Sequence, residues 1–293
     1  MRVVHRILAT EDADVLHYFF APNDKTSSLM RMVTAVRGLP SVQTVCSDPD
    51  PRADLHQLTF ASRTVVLSKR ALRRYVDIGI DPKRLIRIPP CIEPLASLPD
   101  DERMRIRLKL GLPAELPLIV YPGDLEFGRG ARCMLQAFLE LEGAALVMAC
   151  RAKTKKAAEI ERTLRDTLPA GAPVYWLGEV EQIHELLGAS DVVALPTETL
   201  YAKMDYPLSL LEAMSMQRPV LVTRGTAAEE LEEGGAYVTE HDPLAVADGL
   251  EQMLSDETLR RSLGIRGEHF VRTECSPSNV AQQYERVYDE LCA

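Results

Sequence analysis

The sequence has little of what a membrane, disulfide-rich or metal-binding protein needs. No apolar run approaches the ~18 residues of a transmembrane helix, and its start shows no signal-peptide pattern. The six cysteines include no CxxC pair, and the six histidines are scattered along the chain. These absences predict a cytoplasmic protein with reduced thiols and no metal site.

Positive charge and glycine pairs are also scarce. Asp and Glu outnumber Lys and Arg by 43 to 34, which gives a net charge of -9 and argues against nucleic acid as a partner. The first 100 residues contain no Gly-Gly loop, and the chain has neither repeats nor low-complexity tracts. Its 293 residues, 46% of them hydrophobic, are enough for two globular domains.

Short apolar runs with the pattern of buried strands alternate with segments of helical pattern along the chain. This alternation predicts parallel α/β sheets. Prolines and turn residues make Pro94–Asp101 the best linker candidate. We therefore predict a first domain over residues 1–101, which opens with a helix from Met1, and a second over 102–276. A closing helix over 277–293 is predicted to pack back on the first domain.

The most informative segment runs from Lys203 to Met214. Pro207 suits the first position of a helix, because its missing N–H would have no partner there. The unpaired N–H groups of the next turn and the helix dipole would make a phosphate site. Glu212, two turns into this helix, could reach a sugar hydroxyl beside that phosphate. An ordinary amphipathic helix, with Asp205 as its start signal, is the alternative.

The run from Leu208 and Ser209 through Glu212 to Met214 resembles the donor-binding motif of retaining glycosyltransferases of the GT-B type, family 4. In that family an acid and a glycine-containing loop precede Leu-Pro-Leu-Leu-Glu-Ala-Met. The resemblance implies that Glu212 is the acid that binds the ribose. The family's first acid falls on Met204, so Asp205 or Lys203 would take over its sugar-binding role.

The loop from Pro122 to Gly130 resembles the family's Gly-Arg-Leu…Lys-Gly loop, whose two cations clamp the donor diphosphate. Gly123 matches the first glycine and Arg129 the lysine, while Asp124 stands at the arginine position and reverses a charge. Arg129 alone could still make a bidentate phosphate contact. A surface cation before a helix is the alternative reading of Arg129.

Further segments carry the resemblance. Trp176–Val180 is similar to a strand end of the family at which the backbone reads the nucleobase, so Gly178 and Val180 are candidates for contact with the base. The alternative is that Gly178 is a plain glycine at a strand-to-turn position. The Ser190–Thr197 strand is similar to the family's Ala-Asp…Pro-Ser strand. It implies that Thr197 and Glu198 line the same cleft, with Asp191 as a turn or cap residue.

In the first domain, Cys46 falls where the family often has a histidine that contacts the transferred sugar. A thiol cannot replace an imidazole as a hydrogen-bond donor to a hydroxyl, so we interpret Cys46 as a buried small residue. No catalytic residue is predicted.

The resemblance implies the GT-B fold, with two Rossmann-like parallel-sheet domains facing a cleft. The family's first domain opens with a strand and a glycine-rich loop that find no match here. We therefore predict that the first domain is incomplete by roughly two βα units, on the order of 60 residues. A late start codon, a split gene or a lost segment would explain this. A protein partner or a missing segment would then cover the exposed sheet edge.

The implied activity is metal-independent, retaining transfer of a hexose from a nucleotide-diphosphate sugar to a cell-envelope glycan or lipid acceptor, without a cofactor. A non-catalytic subunit or fragment is the alternative, and a GT-B epimerase is a weaker third. A basic patch would let the protein contact anionic lipid at the inner face of the membrane. The alternative is that this patch is simply the solvated face of a helix. The patch consists of Arg63, Lys69, Arg70, Arg73 and Arg74.

Overall fold

The computed structural model describes residues 13–47, 49, 52–150, 152, 154–201 and 203–293. A helix was predicted from Met1, and its positions 1–12 lie outside the described residues.

The chain divides into two compact units. The first comprises the described residues of Met1–Cys91, Tyr201–Tyr206 and Pro277–Ala293, and the second comprises Ile92–Leu200 and Pro207–Ser276. The division thus falls ten residues before the expected 101/102 boundary. The reason is that the Ile92 N–H already bonds to the Cys275 carbonyl at 3.1 Å, within the second unit. No sequence pattern indicated that Tyr201–Tyr206 belongs with the first unit.

The first unit is built on a four-stranded parallel sheet in the order β1-β2-β3-β4. Its strands are β1 (Leu16–Phe20), β2 (Ser41–Val45), β3 (Arg63–Val66) and β4 (Leu85–Arg87). Its helices are α1 (Asp24–Arg37), α2 (Leu55–Leu58) and α3 (Lys69–Asp77), followed at the end of the chain by the closing helix Pro277–Cys292.

Both faces of this sheet are covered by helices. Val280 and Val287 lie seven residues apart on one side of the closing helix and pack on strand residues that include Val42 and Val65. Strand side chains alternate between faces, so Tyr18 points the other way and packs under α1. The closing helix is therefore part of the first unit's core.

The second unit is built on a six-stranded parallel sheet in the order β10-β9-β8-β5-β6-β7. Its strands are β5 (Leu118–Tyr121), β6 (Ala145–Met148), β7 (Val174–Trp176), β8 (Val192–Leu195), β9 (Val220–Thr223) and β10 (Tyr237–Thr239). Its helices are α4 (Asp100–Lys109), α5 (Gly130–Phe138), α6 (Lys155–Asp166), α7 (Ile183–Ala189), α8 (Leu208–Ser215), α9 (Pro243–Ser255) and α10 (Glu257–Glu274).

The strand order of the second unit creates a topological switch point. From β5 the chain moves outward to β6 and β7, and then returns to place β8 on the other side of β5. The loops that follow β5 and β8 therefore leave the sheet in opposite directions. In open α/β sheets, ligands bind in the crevice between two such loops, at the carboxyl ends of the strands.

Candidate functional site

Two loops meet at the switch point, one after β5 and one after β8. The Thr197 hydroxyl donates to the Gly128 carbonyl at 3.1 Å and to the Thr199 carbonyl at 2.9 Å. The Glu198 N–H donates to the same Gly128 carbonyl at 3.0 Å. These bonds join the two loops where the topology predicts a ligand. They also use the hydroxyl hydrogen of Thr197, so this buried residue holds the two loops together.

The loop after β5 follows a path that only glycine permits at two points. A Cβ atom at Gly123 would lie 2.1 Å from the ring of Tyr121, and one at Gly128 would lie 1.9 Å from the Thr197 hydroxyl oxygen. Gly128 also has a positive φ of 70°. The Tyr121 hydroxyl donates to the Asp124 carbonyl at 2.9 Å, which fixes the loop from below. Glycine at these two positions therefore lets the loop pack closely on Tyr121 and Thr197.

Tyr121 is the residue of this site that the motif comparison missed. It is the last residue of β5 and is fully buried under the loop. Burial raises the pKa of its hydroxyl well above the ordinary value. The protonated hydroxyl therefore remains a donor to Asp124. The only sequence signal is an aromatic residue at the strand end, directly before Pro-Gly.

Arg129 directly precedes α5 and supplies a cation at the end of the loop after β5. Its backbone is left-handed, with φ 51° and ψ 10°, and no side chain caps the helix that follows. Its side chain is 76% exposed, and its Nε atom lies 3.3 Å from Oε1 of Glu198. Asp124 lies on the same loop, partly exposed, so the charge reversal noted in the sequence is present at the site.

The motif helix α8 begins one residue later than predicted. Pro207 is its N-cap, with an extended ψ of 127°, and Leu208 is the first helical residue. No side chain caps this end. The Pro207 carbonyl accepts from Leu210 and Leu211, so among the described residues the N–H groups of Leu208 and Ser209 have no partner. This is the arrangement that binds an anion at a helix N-terminus.

Glu212 lies in the second turn of α8 and is partly exposed. Burial raises the pKa of its carboxyl group, while the nearby His184 acts in the opposite direction. Within the described part of the chain no N–H or O–H group donates to this carboxylate. Glu212 is therefore a partly desolvated acceptor with unused lone pairs, which suits a pair of ligand hydroxyls.

Asp205 and Lys203 belong to the first unit, whereas Glu212 belongs to the second. Asp205 is 6% exposed, and its Oδ2 accepts from the Ser68 hydroxyl at 2.5 Å. The same Ser68 oxygen accepts from the Ala71 N–H at 3.0 Å and caps α3. This gives the Asp205 carboxylate a partner within the first unit. A sugar-binding role for Asp205 or Lys203 stays a prediction.

The base-contact candidates Gly178 and Val180 follow β7. Gly178 has a φ of 65° with open space around its α-carbon, so its backbone conformation alone requires glycine. β7 lies two strands from β5, or roughly 10 Å at ordinary strand spacing. Just before this turn, the Arg165 guanidinium lies 4.7 Å from the centre of the Trp176 ring. These residues therefore lie at the same sheet edge as the loop after β5.

Cys46 in the first unit is only partly buried, whereas a buried residue was predicted, and its thiol lies 3.7 Å from the Thr44 carbonyl. Burial raises the pKa of the thiol, which favours the uncharged form. The neighbouring His17 is bound at Nδ1 by the Tyr288 hydroxyl at 2.6 Å and at Nε2 by the Thr44 hydroxyl at 2.8 Å. Burial lowers the pKa of His17 to about 4, so this imidazole is neutral at pH 7.

Asp191 lies at the opposite, amino-terminal edge of the second sheet. Its carboxylate accepts from Arg103 at 2.7 Å, from Arg107 at 2.8 Å and from the Leu118 N–H at 2.7 Å. A cavity of about 240 Å³ adjoins this ion-pair group. The cavity lies away from the switch-point loops and is not part of the candidate site.

Among the described residues no group of three or more His, Cys, Asp or Glu side chains is arranged to hold a metal ion. None of the helices in the described ranges is long and apolar enough to cross a membrane.

Residues 116–256 match the family model described as Glycosyl transferases group 1. The N-acetyl-alpha-D-glucosaminyl L-malate synthase of Bacillus anthracis is 36% identical over 121 residues, which cover 40% of this chain and 31% of that protein. The D-inositol 3-phosphate glycosyltransferase of Xylanimonas cellulosilytica is 29% identical over 239 residues, which cover 73% and 55%. The chain thus spans about a third to just over half of these relatives.

Solved structures share the fold at low sequence identity. Anabaena HepE in complex with UDP matches with a TM-score of 0.85 and 16% identity, over 99% of this chain and 81% of that one. Sucrose-phosphate synthase from Thermosynechococcus elongatus matches with a TM-score of 0.77 and 19% identity, over 99% and 76%. Two Rossmann-like parallel-sheet units of the GT-B type, as predicted, are thereby confirmed, and the predicted resemblance to group 1 glycosyltransferases is confirmed over residues 116–256.

Proposed function

We propose that the protein moves a hexose from a nucleotide-diphosphate sugar to a glycan or lipid acceptor, with retention and without a metal. The observation that carries this proposal is the construction of the switch point. There a glycine-containing loop, the cation Arg129 and the uncapped start of α5 lie together on the second unit. Phosphate groups bind at helix N-termini next to such loops.

Each group at the site has a role in this proposal. Arg129 and the N-terminus of α8 bind the diphosphate, and they stabilise the negative charge that develops as the sugar leaves. Glu212 accepts hydrogen bonds from the ribose hydroxyls. The backbone at Gly178 and Val180 contacts the base. The departing diphosphate takes the proton of the acceptor hydroxyl, so the chain needs no dedicated base.

The first donor to test is a uridine diphosphate sugar. Solved structures of the related Anabaena HepE are described in complex with UDP and with UDP-glucose. Contact of the basic helix α3 with anionic lipid is proposed as the way in which a membrane-bound acceptor is reached.

A second candidate function is that of a non-catalytic subunit that binds a protein partner. Asp124 favours it, because a carboxylate replaces the expected second cation. The edge strand β1 also favours it, since in the described part of the chain it has a partner strand on one side only. Phe19 on this strand is 59% exposed. An added polypeptide strand would cover the open edge of β1 and the exposed side chain of Phe19.

Binding of UDP to the full chain tests the donor site directly. At 100 times its dissociation constant UDP should add about 2.7 kcal/mol of stability, or roughly 5–10 °C in Tm. Glu212→Ala should lose this shift and keep the fold, as judged by its circular dichroism. Glu159→Ala, at an exposed helical position of α6 away from the switch-point loops, is the matched control and should keep the shift.

Two results would contradict parts of this proposal, the first the transferase activity and the second the role of Glu212. A folded wild-type chain without any shift for UDP, GDP or ADP favours the non-catalytic subunit. An unchanged shift in Glu212→Ala overturns the assignment of Glu212 as the ribose acid.

A further inference from the structure

The guanidinium of Arg129 forms an ion pair with a carboxylate of the chain itself. Nε of Arg129 lies 3.3 Å from Oε1 of Glu198, across the junction of the two switch-point loops. If the function proposed above is correct, the donor diphosphate must bind this same guanidinium. The Glu198 carboxylate therefore occupies a position that a phosphate oxygen needs.

The backbone keeps Glu198 beside Arg129. The Glu198 N–H donates to the carbonyl of Gly128, the residue directly before Arg129, at 3.0 Å. The Thr197 hydroxyl donates to the same carbonyl. The two charged residues are thus tethered to one peptide group, and their proximity does not depend on the conformation of a long loop.

The ion pair is weak enough to be exchanged. The side chains of Arg129 and Glu198 are 76% and 43% exposed, so water screens their attraction. A diphosphate carries more charge than a carboxylate and can bind a guanidinium through two oxygens. It would therefore displace Glu198, and any carboxylate that stayed close would repel it.

We propose that Glu198 is an internal latch on Arg129, which the donor must displace. The latch weakens the binding of the donor and of the nucleoside diphosphate product alike. It therefore hastens release of the product, because the carboxylate is ready to take back the guanidinium. Glu198 is a positioning residue in this scheme and needs no contact with the sugar.

The test compares the affinity of UDP for the full chain and for Glu198→Gln by calorimetry. The substitution should tighten binding roughly fivefold, the size of effect that one exposed ion pair supports. The matched control is Glu185→Gln, since Glu185 pairs with Lys109 Nζ at the same 3.3 Å elsewhere in the second unit. The control should leave the affinity unchanged.

A double-mutant cycle separates a latch from general repulsion. In an Arg129→Gln background, Glu198→Gln should no longer tighten UDP binding. Weaker or unchanged binding by the single Glu198→Gln variant overturns the latch but leaves the proposed function standing. A folded wild-type chain that binds none of UDP, GDP and ADP overturns both.

Discussion

Arg129 places a charge and a strained backbone at one position. Its φ of 51° lies in the left-handed region, where side chains other than glycine cost roughly 1–2 kcal/mol. Gly128 and Gly130 flank it, so the chain has glycine on both sides but not at this residue. This costly conformation beside the loop after β5 is consistent with the binding role proposed for Arg129.

Replacing Arg129 by glycine should therefore separate stability from binding. Arg129→Gly relieves the left-handed strain, so we expect a thermal midpoint equal to or above that of the wild type. Loss of a charge-assisted hydrogen bond should weaken UDP binding roughly tenfold or more. Calorimetric titration and thermal melts of the same samples measure both effects. A less stable variant that still binds UDP normally would contradict this assignment.

At the scale of single residues, the sequence predicts what a local pattern encodes. Arg129, Glu212 and the loop glycines follow from short motifs, and the structure brings Gly128 and Thr197 together. The partner of Asp205 could not be predicted, because Ser68 lies far away in the sequence. The burial of Tyr121 under the loop depends likewise on the folded path of neighbouring strands.

At the scale of elements, the Asp191 carboxylate connects α4 to the amino-terminal ends of β5 and β8. It accepts from Arg103 and Arg107 of the helix and from the Leu118 N–H at the start of β5. Burial alone would raise the pKa of Asp191, but Arg107, the Leu118 N–H and Arg103 together lower it below its ordinary value. The carboxylate is therefore held in its charged form.

Asp191→Asn should destabilise the second unit by about 3–5 kcal/mol, because it leaves the buried Arg107 without its charge partner. Because folding lowers the pKa of Asp191, its stabilising effect is complete above the pKa of the unfolded chain, ~3.9. The effect is lost as the pH falls through the lower pKa of the folded chain. Urea unfolding of both proteins from pH 7 to pH 3 measures this. The difference between them should shrink toward acid, and a constant difference would contradict it.

Alternation of apolar runs predicts nearly all the elements, since fully buried parallel strands such as β5 and β8 stand out as continuous apolar stretches. Strand β10 was not predicted. It has three residues, and two of them are partly exposed, so neither its length nor its pattern marks it. The start of α8 was placed one residue early because Pro207 fits the N-cap as well as the first helical position.

At the scale of the whole molecule, every residue of the proposed donor site except Asp205 and Lys203 belongs to the second unit. The chain leaves that unit at Tyr201–Tyr206 and returns at Pro207. A fragment of residues 92–276, with 201–206 replaced by a glycine-serine linker, should fold cooperatively and bind UDP as the full chain does. A folded fragment without UDP affinity would show that Tyr201–Tyr206 or the first unit contributes to the donor site.

The single tryptophan of this chain offers a built-in reporter. Trp176 is the last residue of β7, under the Arg165 guanidinium and just before Gly178. Because no other indole is present in the 293 residues, fluorescence excited in the indole band comes from this one strand end. A change in emission on adding a nucleotide would locate the base without any label, and the quenching curve would give the affinity in the same titration.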